Sequence, residues 1–303
     1  MKILITGGTG FVGRQLWASL LSQGHQVTVL TRGPSKAAGV NAPDYLQGDP
    51  TRPGKWQEVV AQQDVLINLA GTSIFGRWTA QYKEELRSSR ILTTRNLVEA
   101  ITEGIGKTLV SASGAGYYGF HGDEELDESS PAGQDFLARL AADWEAEAMK
   151  ASGKGVRVLI TRFGIVLGST GGALQQMITP FKWFVGGPLG SGLQWFSWIH
   201  VQDLVRAMLF LLEHPHLSGA FNFTSPNPVR NKELSRALGK ALGRPWWLPT
   251  PGFMLRLVLG EFGEVLLQGQ RVIPRRLLES GFSFRYPALE DTLEDLLISR
   301  GSP

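Results

Sequence analysis

Cysteine is absent from the 303 residues. That excludes disulfides, thiolate metal sites and a cysteine nucleophile, so any redox chemistry has to come from a borrowed cofactor. A long apolar run is missing too: "FMLRLVLGEF" is interrupted by Arg256 and Glu261 and is shorter than the roughly 20 residues that a membrane-spanning helix needs. Neither sign of charge dominates, since 30 lysines and arginines are interleaved with 27 acids for a net +3, and no basic stripe offers itself to nucleic acid. The five histidines (25, 121, 200, 214 and 216) show no ligand spacing, so no metal site is expected. The first residues already form an apolar strand, leaving no room for the charged and apolar regions of a secretion signal; the expected compartment is the cytoplasm.

What is present is an alternation of strands and helices. "KILIT" (2–6) has the character of a buried parallel strand, "FVGRQLWASLLSQG" is a helix stopped at Gly24, and "QVTVLTR" is the next strand. The pattern continues through "DYLQGD" (44–49), a helix near 55–62, "DVLINLAG" (64–71), a long helix ending in "NLVEAI", and "KTLVSAS" (107–113). The helix "DFLARLAADWEAEAMKA" and one long strand, "VRVLITRFGIVLG" (156–168), follow. Such alternation predicts an α/β fold with a doubly wound parallel sheet. Three regions are expected: 1–170 forming the dinucleotide-binding domain, 171–245 completing the sheet and a pocket, and 246–303 making a small, mostly helical C-terminal part bounded by prolines. Trp246 and Trp247 are expected to pack that part onto the body.

"TGGTGFVG" joins the first strand to the first helix, with Gly7, Gly8, Gly10 and Gly13 in place. Dinucleotide sites use one glycine for the tight turn, one where the backbone meets the pyrophosphate and one where helix and strand pack closely. The N–H groups at the start of the helix, around Phe11 and Val12, then face the anion. Sites that prefer NAD place an acid about 20 positions further on. Here the second strand ends in Thr31-Arg32, and a guanidinium suits a 2′-phosphate that a carboxylate would repel. The cofactor expected is NADP.

"TGGTGFVG", "NLAG", "SAS", "RFGIVLG" and "WIHVQDL" together resemble the extended short-chain dehydrogenase/reductase superfamily. More narrowly, "RWTAQYKEELRSSRILTTRNL", "GYYG", "GGPLGSGLQWFSWIHVQDL" and "GQRVIPRRLLESGFSF" are similar to its atypical branch called "epimerase family protein", which has its own short C-terminal domain. The resemblance implies a Rossmann-type sheet and an NADP site in which Leu69 and Ala70 run along the dinucleotide and Glu85, Arg90 and Ile165 touch it. It implies no particular substrate.

The superfamily's chemistry rests on a serine and a TyrxxxLys pair. This chain has five tyrosines, and the residues four positions after them are Asp49, Leu86, His121, Gly122 and Glu290. No TyrxxxLys exists. Two readings stand side by side. In one, Ser113 is the hydrogen-bond donor to the substrate oxygen and Tyr117 or Tyr118 acts as the acid, helped by His121 or Asp123. In the other, the tyrosines are packing residues and the protein senses or presents NADP without turning it over, with a link to cell or plastid division among the relatives. The partner expected is a small molecule of unknown identity.

Other positions have two readings each. Arg77 and Trp78 either line the pocket or cap the long helix. His200 and Asp203 in "WIHVQDL" suit acid–base work, but the resemblance gives the aspartate a structural role. Trp183, Phe184, Trp195, Phe196 and Trp198 form either an apolar pocket wall or core.

Overall fold

Alternation along the first strand decides how the sheet is buried on both faces. In β1 (Lys2–Thr6), Ile3 and Ile5 point one way and Leu4 the other. The computed structural model describes residues 1–33, 41–102 and 106–297. Its central sheet continues with β2 (Gln26–Thr31), β3 (Asp44–Gln47), β4 (Val65–Asn68), β5 (Thr108–Gly114), β6 (Arg157–Phe163) and β7 (Gly219–Phe223). The spatial order is β7-β6-β5-β4-β1-β2-β3 and every pairing is parallel. This is the doubly wound Rossmann arrangement expected from the sequence. The order in which strands are added reverses between β1 and β4, and ligands of such sheets bind at the carboxyl ends of the strands at that point.

Ile3, Ile5, Val27, Val29 and Ile67 pack against Leu16 and Leu20 of α1 (Phe11–Ser22) and against the helix from Val201 to Glu213. On the opposite face, Leu4, Leu66, Leu109 and Ile160 meet Leu97 and Val98 of α2 (Ala80–Ala100) and Ala148 of α3 (Phe136–Met149). Both faces are therefore covered, as strands without polar alternation require.

The single strand expected over 156–168 is two. The chain leaves the central sheet at Gly164 and continues as Ile165–Gly168 in a separate small sheet beside Trp198–His200. Glycine is required at the break, because a Cβ there would lie 2.7 Å from the Ser197 carbonyl oxygen. The C-terminal part is mostly helical, and its short strand Arg271–Val272 pairs with Glu125–Leu126 in the segment after β5. Trp246 packs against Gly239, but Trp247 does not pack the C-terminal part onto the body: it is 72% exposed. Among the described residues, no helix is long and apolar enough to cross a membrane.

Candidate functional site

Three glycines bring three backbones together at the carboxyl end of β1. Gly7 has φ +71°, and a Cβ on it would sit 2.6 Å from the Leu69 carbonyl carbon and 2.7 Å from the Ala70 nitrogen. Leu69 and Ala70, at the end of β4, thus lie directly against the turn, and the Leu69 N–H bonds the Thr6 carbonyl at 3.1 Å. Gly13, one turn into α1, leaves space for the Gly7 carbonyl oxygen, 2.5 Å from where its Cβ would be. Gly8 does the same for Val29. α1 starts at Gly10 without a capping side chain, and its first intrahelical bond runs from the Arg14 N–H to Gly10. The amides of Phe11, Val12 and Gly13 are left for another acceptor. These are the features of a diphosphate cradle.

The Phe11 ring fills a slot made by Gly168, Gly171 and Gly172, drawing the 165–172 hairpin to the edge of the cradle. Ile165, half-buried, opens that hairpin, and its N–H bonds the Ser197 carbonyl at 2.8 Å. At the end of β2, the Thr31 hydroxyl accepts the Gly33 N–H and Arg32 is exposed. Asp49, at the end of the neighbouring β3, is folded back onto Thr51 and accepts both its N–H and its hydroxyl. Partial burial pushes that carboxyl up, but Thr51 and the guanidiniums of Arg32 and Arg52 hold it below its ordinary range.

Arg90 enters the crevice from α2. Its guanidinium lies 3.0 Å from where a Cβ on Gly71 would be, stacks over Trp144 and bonds the Leu86 carbonyl. Burial pulls it down to about 10, and among the described residues no carboxylate pairs with it. A half-buried cation without an anion is costly unless a ligand supplies one. Glu85 shares the helix but faces solvent, 3.4 Å from the Gln81 amide.

Ser113, Tyr117 and Tyr118 come together around two residues that the sequence did not single out. The Ser113 hydroxyl donates to Glu145 Oε1 at 2.7 Å. Arg162, next to the last residue of β6, binds both oxygens of Glu145 at 2.8 Å. Its third contact is the Tyr118 hydroxyl at 2.9 Å, which itself donates to Asn222 Oδ1 at 2.7 Å, and Asn222 donates to the Ile273 carbonyl. Burial alone would lower the Arg162 guanidinium, yet Glu145 holds it above its ordinary value. Burial pushes the Tyr118 phenol up to about 12 against the pull of Arg162. Tyr117 is half-buried with its ring against the Arg162 guanidinium.

On α3, where a TyrxxxLys pair is expected in the superfamily, Phe136 and Leu140 pack with Trp78. Asp135 caps the helix through the Ala138 N–H. Trp78 is a core residue, in contact with Phe136 and Phe262, whereas Arg77 is exposed. His121 bonds Glu124 and the Tyr118 carbonyl, and Asp123 pairs with Arg230 and accepts from Trp195. A cavity of about 350 Å³ beside this segment is lined by Phe120, His121, Gln194, Trp195 and Arg230. The expected aromatic wall is divided: Trp195 and Phe196 are half-buried near this cavity, Trp198 is core, and Trp183 and Phe184 are exposed.

A profile of the NAD dependent epimerase/dehydratase family matches residues 3–223, and one of a domain of unknown function, DUF1731, matches residues 250–296. The chain belongs to the epimerase/dehydratase family. It is 44% identical over 98% of its length, and 87% of the relative's, to "Epimerase family protein SDR39U1 homolog, chloroplastic" of Arabidopsis thaliana. It is 40% identical to the Bacillus subtilis epimerase family protein YfhF over 99% of both chains. The crystal structure of human epimerase family protein SDR39U1 with NADPH superposes with a TM-score of 0.87 at 36% identity, covering 98% of this chain and 99% of the human one. Structures of UDP-glucose and UDP-glucuronic acid 4-epimerases share the fold at under 25% identity.

Asp203 and His200 hold the C-terminal part. Asp203 is wholly buried and accepts the N–H groups of Arg285 and Tyr286, at 2.9 and 2.7 Å. His200 stacks on Tyr286, accepts the Gln202 N–H and bonds Asp295 at 3.2 Å.

Proposed function

We propose that the protein binds NADP(H) in the crevice above β1 and β4 and acts as an oxidoreductase or epimerase-like enzyme on a small molecule, in the cytoplasm. The observation that carries this is the glycine turn at Gly7 and Gly13, where no Cβ fits and α1 starts without a capping side chain, leaving its first amides for an anion. Phe11, Val12 and Gly13 offer amides to the cofactor's diphosphate, Leu69 and Ala70 border it, and Arg90 supplies the half-buried cation. Thr31 and Arg32 receive the adenosine end, where Arg32 pairs with a 2′-phosphate. The bound nicotinamide would supply hydride exchange at its C4.

Ser113 lies at the end of β5, and its hydroxyl already donates to Glu145, so it is not the free donor expected from the sequence and instead presents lone pairs to a substrate hydroxyl. Of the two tyrosines, Tyr117 carries the proposed acid role. The Tyr118 hydroxyl already donates to Asn222 and accepts from Arg162, whereas Tyr117 is half-buried over a cation. The cavity lined by Gln194, Trp195 and Arg230 is the substrate space on this reading.

Two measurements test it. In a titration followed by nicotinamide fluorescence, NADPH should bind more tightly than NADH, and Arg32→Ala should erase most of the difference; tighter NADH binding would refute the cofactor preference. In assays of a carbonyl library with NADPH, Tyr117→Phe and Ser113→Ala should abolish turnover that Tyr118→Phe retains in part. Turnover unaffected in Tyr117→Phe removes it as the acid, and binding without any turnover favours an NADP-sensing role.

A further inference from the structure

One face of the molecule is unlike the rest in both polarity and charge. Segments 183–190 and 244–252 run side by side, joined by bonds from the Thr250 N–H to Pro188 and from the Gly190 N–H to Thr250. A Cβ at Gly187 would lie 2.0 Å from the Leu248 carbonyl oxygen, so no side chain separates them. α4 (Gly252–Leu259) follows directly, and no residue of it is buried. It is fixed from below: Leu259 packs into the cluster around Trp78 and Phe262.

The outward side chains are large and apolar. Trp183 is 76% exposed and Leu257 77%, and Phe184, Trp247, Phe253 and Val258 all have more than half their surface in water. Phe253 and Leu257 are four residues apart and share one helix side. Singly exposed apolar residues need no account, but a contiguous patch of this size marks an interaction surface.

Charge identifies the partner. Residues 173–193 and 234–260 contain Lys182, Arg236, Lys240, Arg244 and Arg256 and no acid; of the acids just beyond them, Glu264 neutralises Arg256 and Glu261 is taken by Lys83, so four cations are left to face outward. Arg244 lies over the Phe184 ring, 4.5 Å from its centre, so cation and aromatic ring occupy the same patch. A second copy docking through this face by two-fold symmetry would set these cations against their own images. An anionic surface would not. Exposed tryptophans beside an apolar helix side with basic flanks fit the headgroup region of a bilayer.

We propose that this face docks the protein on an anionic lipid membrane. Trp183, Trp247, Phe253 and Leu257 enter the interface, and Lys182, Arg236, Lys240 and Arg244 meet headgroup phosphates. The chain lies on the bilayer without crossing it, and the nucleotide crevice stays outside the contact.

Vesicle flotation tests this with the full chain. The protein should float with vesicles of phosphatidylcholine mixed with phosphatidylglycerol, remain behind with phosphatidylcholine alone, and detach as salt is raised. Tryptophan emission should shift to the blue on the mixed vesicles, less in Trp183→Phe and Trp247→Phe. Leu257→Asp and Trp247→Asp, both at exposed positions, should lower partitioning by roughly tenfold or more while circular dichroism and NADPH affinity hold. No flotation with mixed vesicles, or flotation equal in both variants, overturns the proposal. Two further results also overturn it: a wild-type dimer dispersed by Leu257→Asp would assign the face to a second copy, and NADPH competing with vesicles would assign it to the crevice.

Discussion

The Arg162 guanidinium lies 3.5 Å from the centre of the Tyr117 ring while two of its nitrogens hold Glu145. Both charges are almost entirely inaccessible to solvent, so neither can be rescued by water if the other is lost. Arg162→Leu is expected to destabilise the fold by about 3–5 kcal/mol, the range for breaking a buried pair. The double variant Arg162→Leu/Glu145→Leu should recover much of that. Urea unfolding of the single and double variants measures both; a single-variant loss below about 1 kcal/mol would contradict the pairing.

Glycine positions differ in what they tolerate. At Gly7 a side chain meets the Leu69 backbone at 2.6 Å and at Gly13 it meets the Gly7 carbonyl at 2.5 Å, whereas at Gly24, with φ +79°, nothing lies within 4 Å. Gly24→Ala should cost only the left-handed conformation, about 1–2 kcal/mol. Gly7→Ala and Gly13→Ala should each weaken NADPH binding by at least roughly tenfold, because the cradle itself must shift. Parallel melting curves and fluorescence titrations separate the two effects, and a Gly13→Ala variant that binds like wild type would refute the close-packing account.

Arg90 makes an unusual prediction for a half-buried charge. Its value of about 10 lies below the ordinary 12.5, so the charged form opposes folding at neutral pH, and that penalty fades as pH rises through 10. Arg90→Met should leave the ligand-free protein level or more stable, by about 1 kcal/mol, while weakening NADPH. A variant that is less stable yet binds NADPH normally would mean that the guanidinium serves packing alone.

Tyr118 should titrate late. Its phenol at about 12 sits above the ordinary 10, so the unfolded chain ionises first, and the stability this hydroxyl contributes is present below pH 10 and lost between pH 10 and 12. The difference in absorbance titration between wild type and Tyr118→Phe should isolate a phenol with a midpoint near 12. The variant, which leaves Asn222 Oδ1 without its donor, should lose about 1–3 kcal/mol. A midpoint near 10 would show that the hydroxyl is reached by water.

The glycine cradle was legible because its constraints act within one strand, one turn and one helix. The parallel, doubly wound sheet followed from the alternation of strands and helices. The network of Ser113, Glu145, Arg162, Tyr118 and Asn222 was not, since Tyr118 and Asn222 are 104 residues apart and each looks ordinary in its own segment. One signal was available: "VLITRF" places an arginine inside an apolar strand, and Glu145 falls among the buried positions of α3. Two charges on buried faces need each other. The strand break at Gly164 went unseen for a similar reason, because it depends on the Ser197 backbone rather than on its own neighbours.

The clasp at Asp203 makes the two matched regions inseparable parts of one fold. A chain cut at residue 245 would lose the Arg285 and Tyr286 amides that satisfy this carboxylate, leaving Arg206 as its remaining side-chain partner among the described residues. Because those donors are backbone amides, a tail exchanged between relatives satisfies the carboxylate only where it brings the same turn of chain back to the start of that helix.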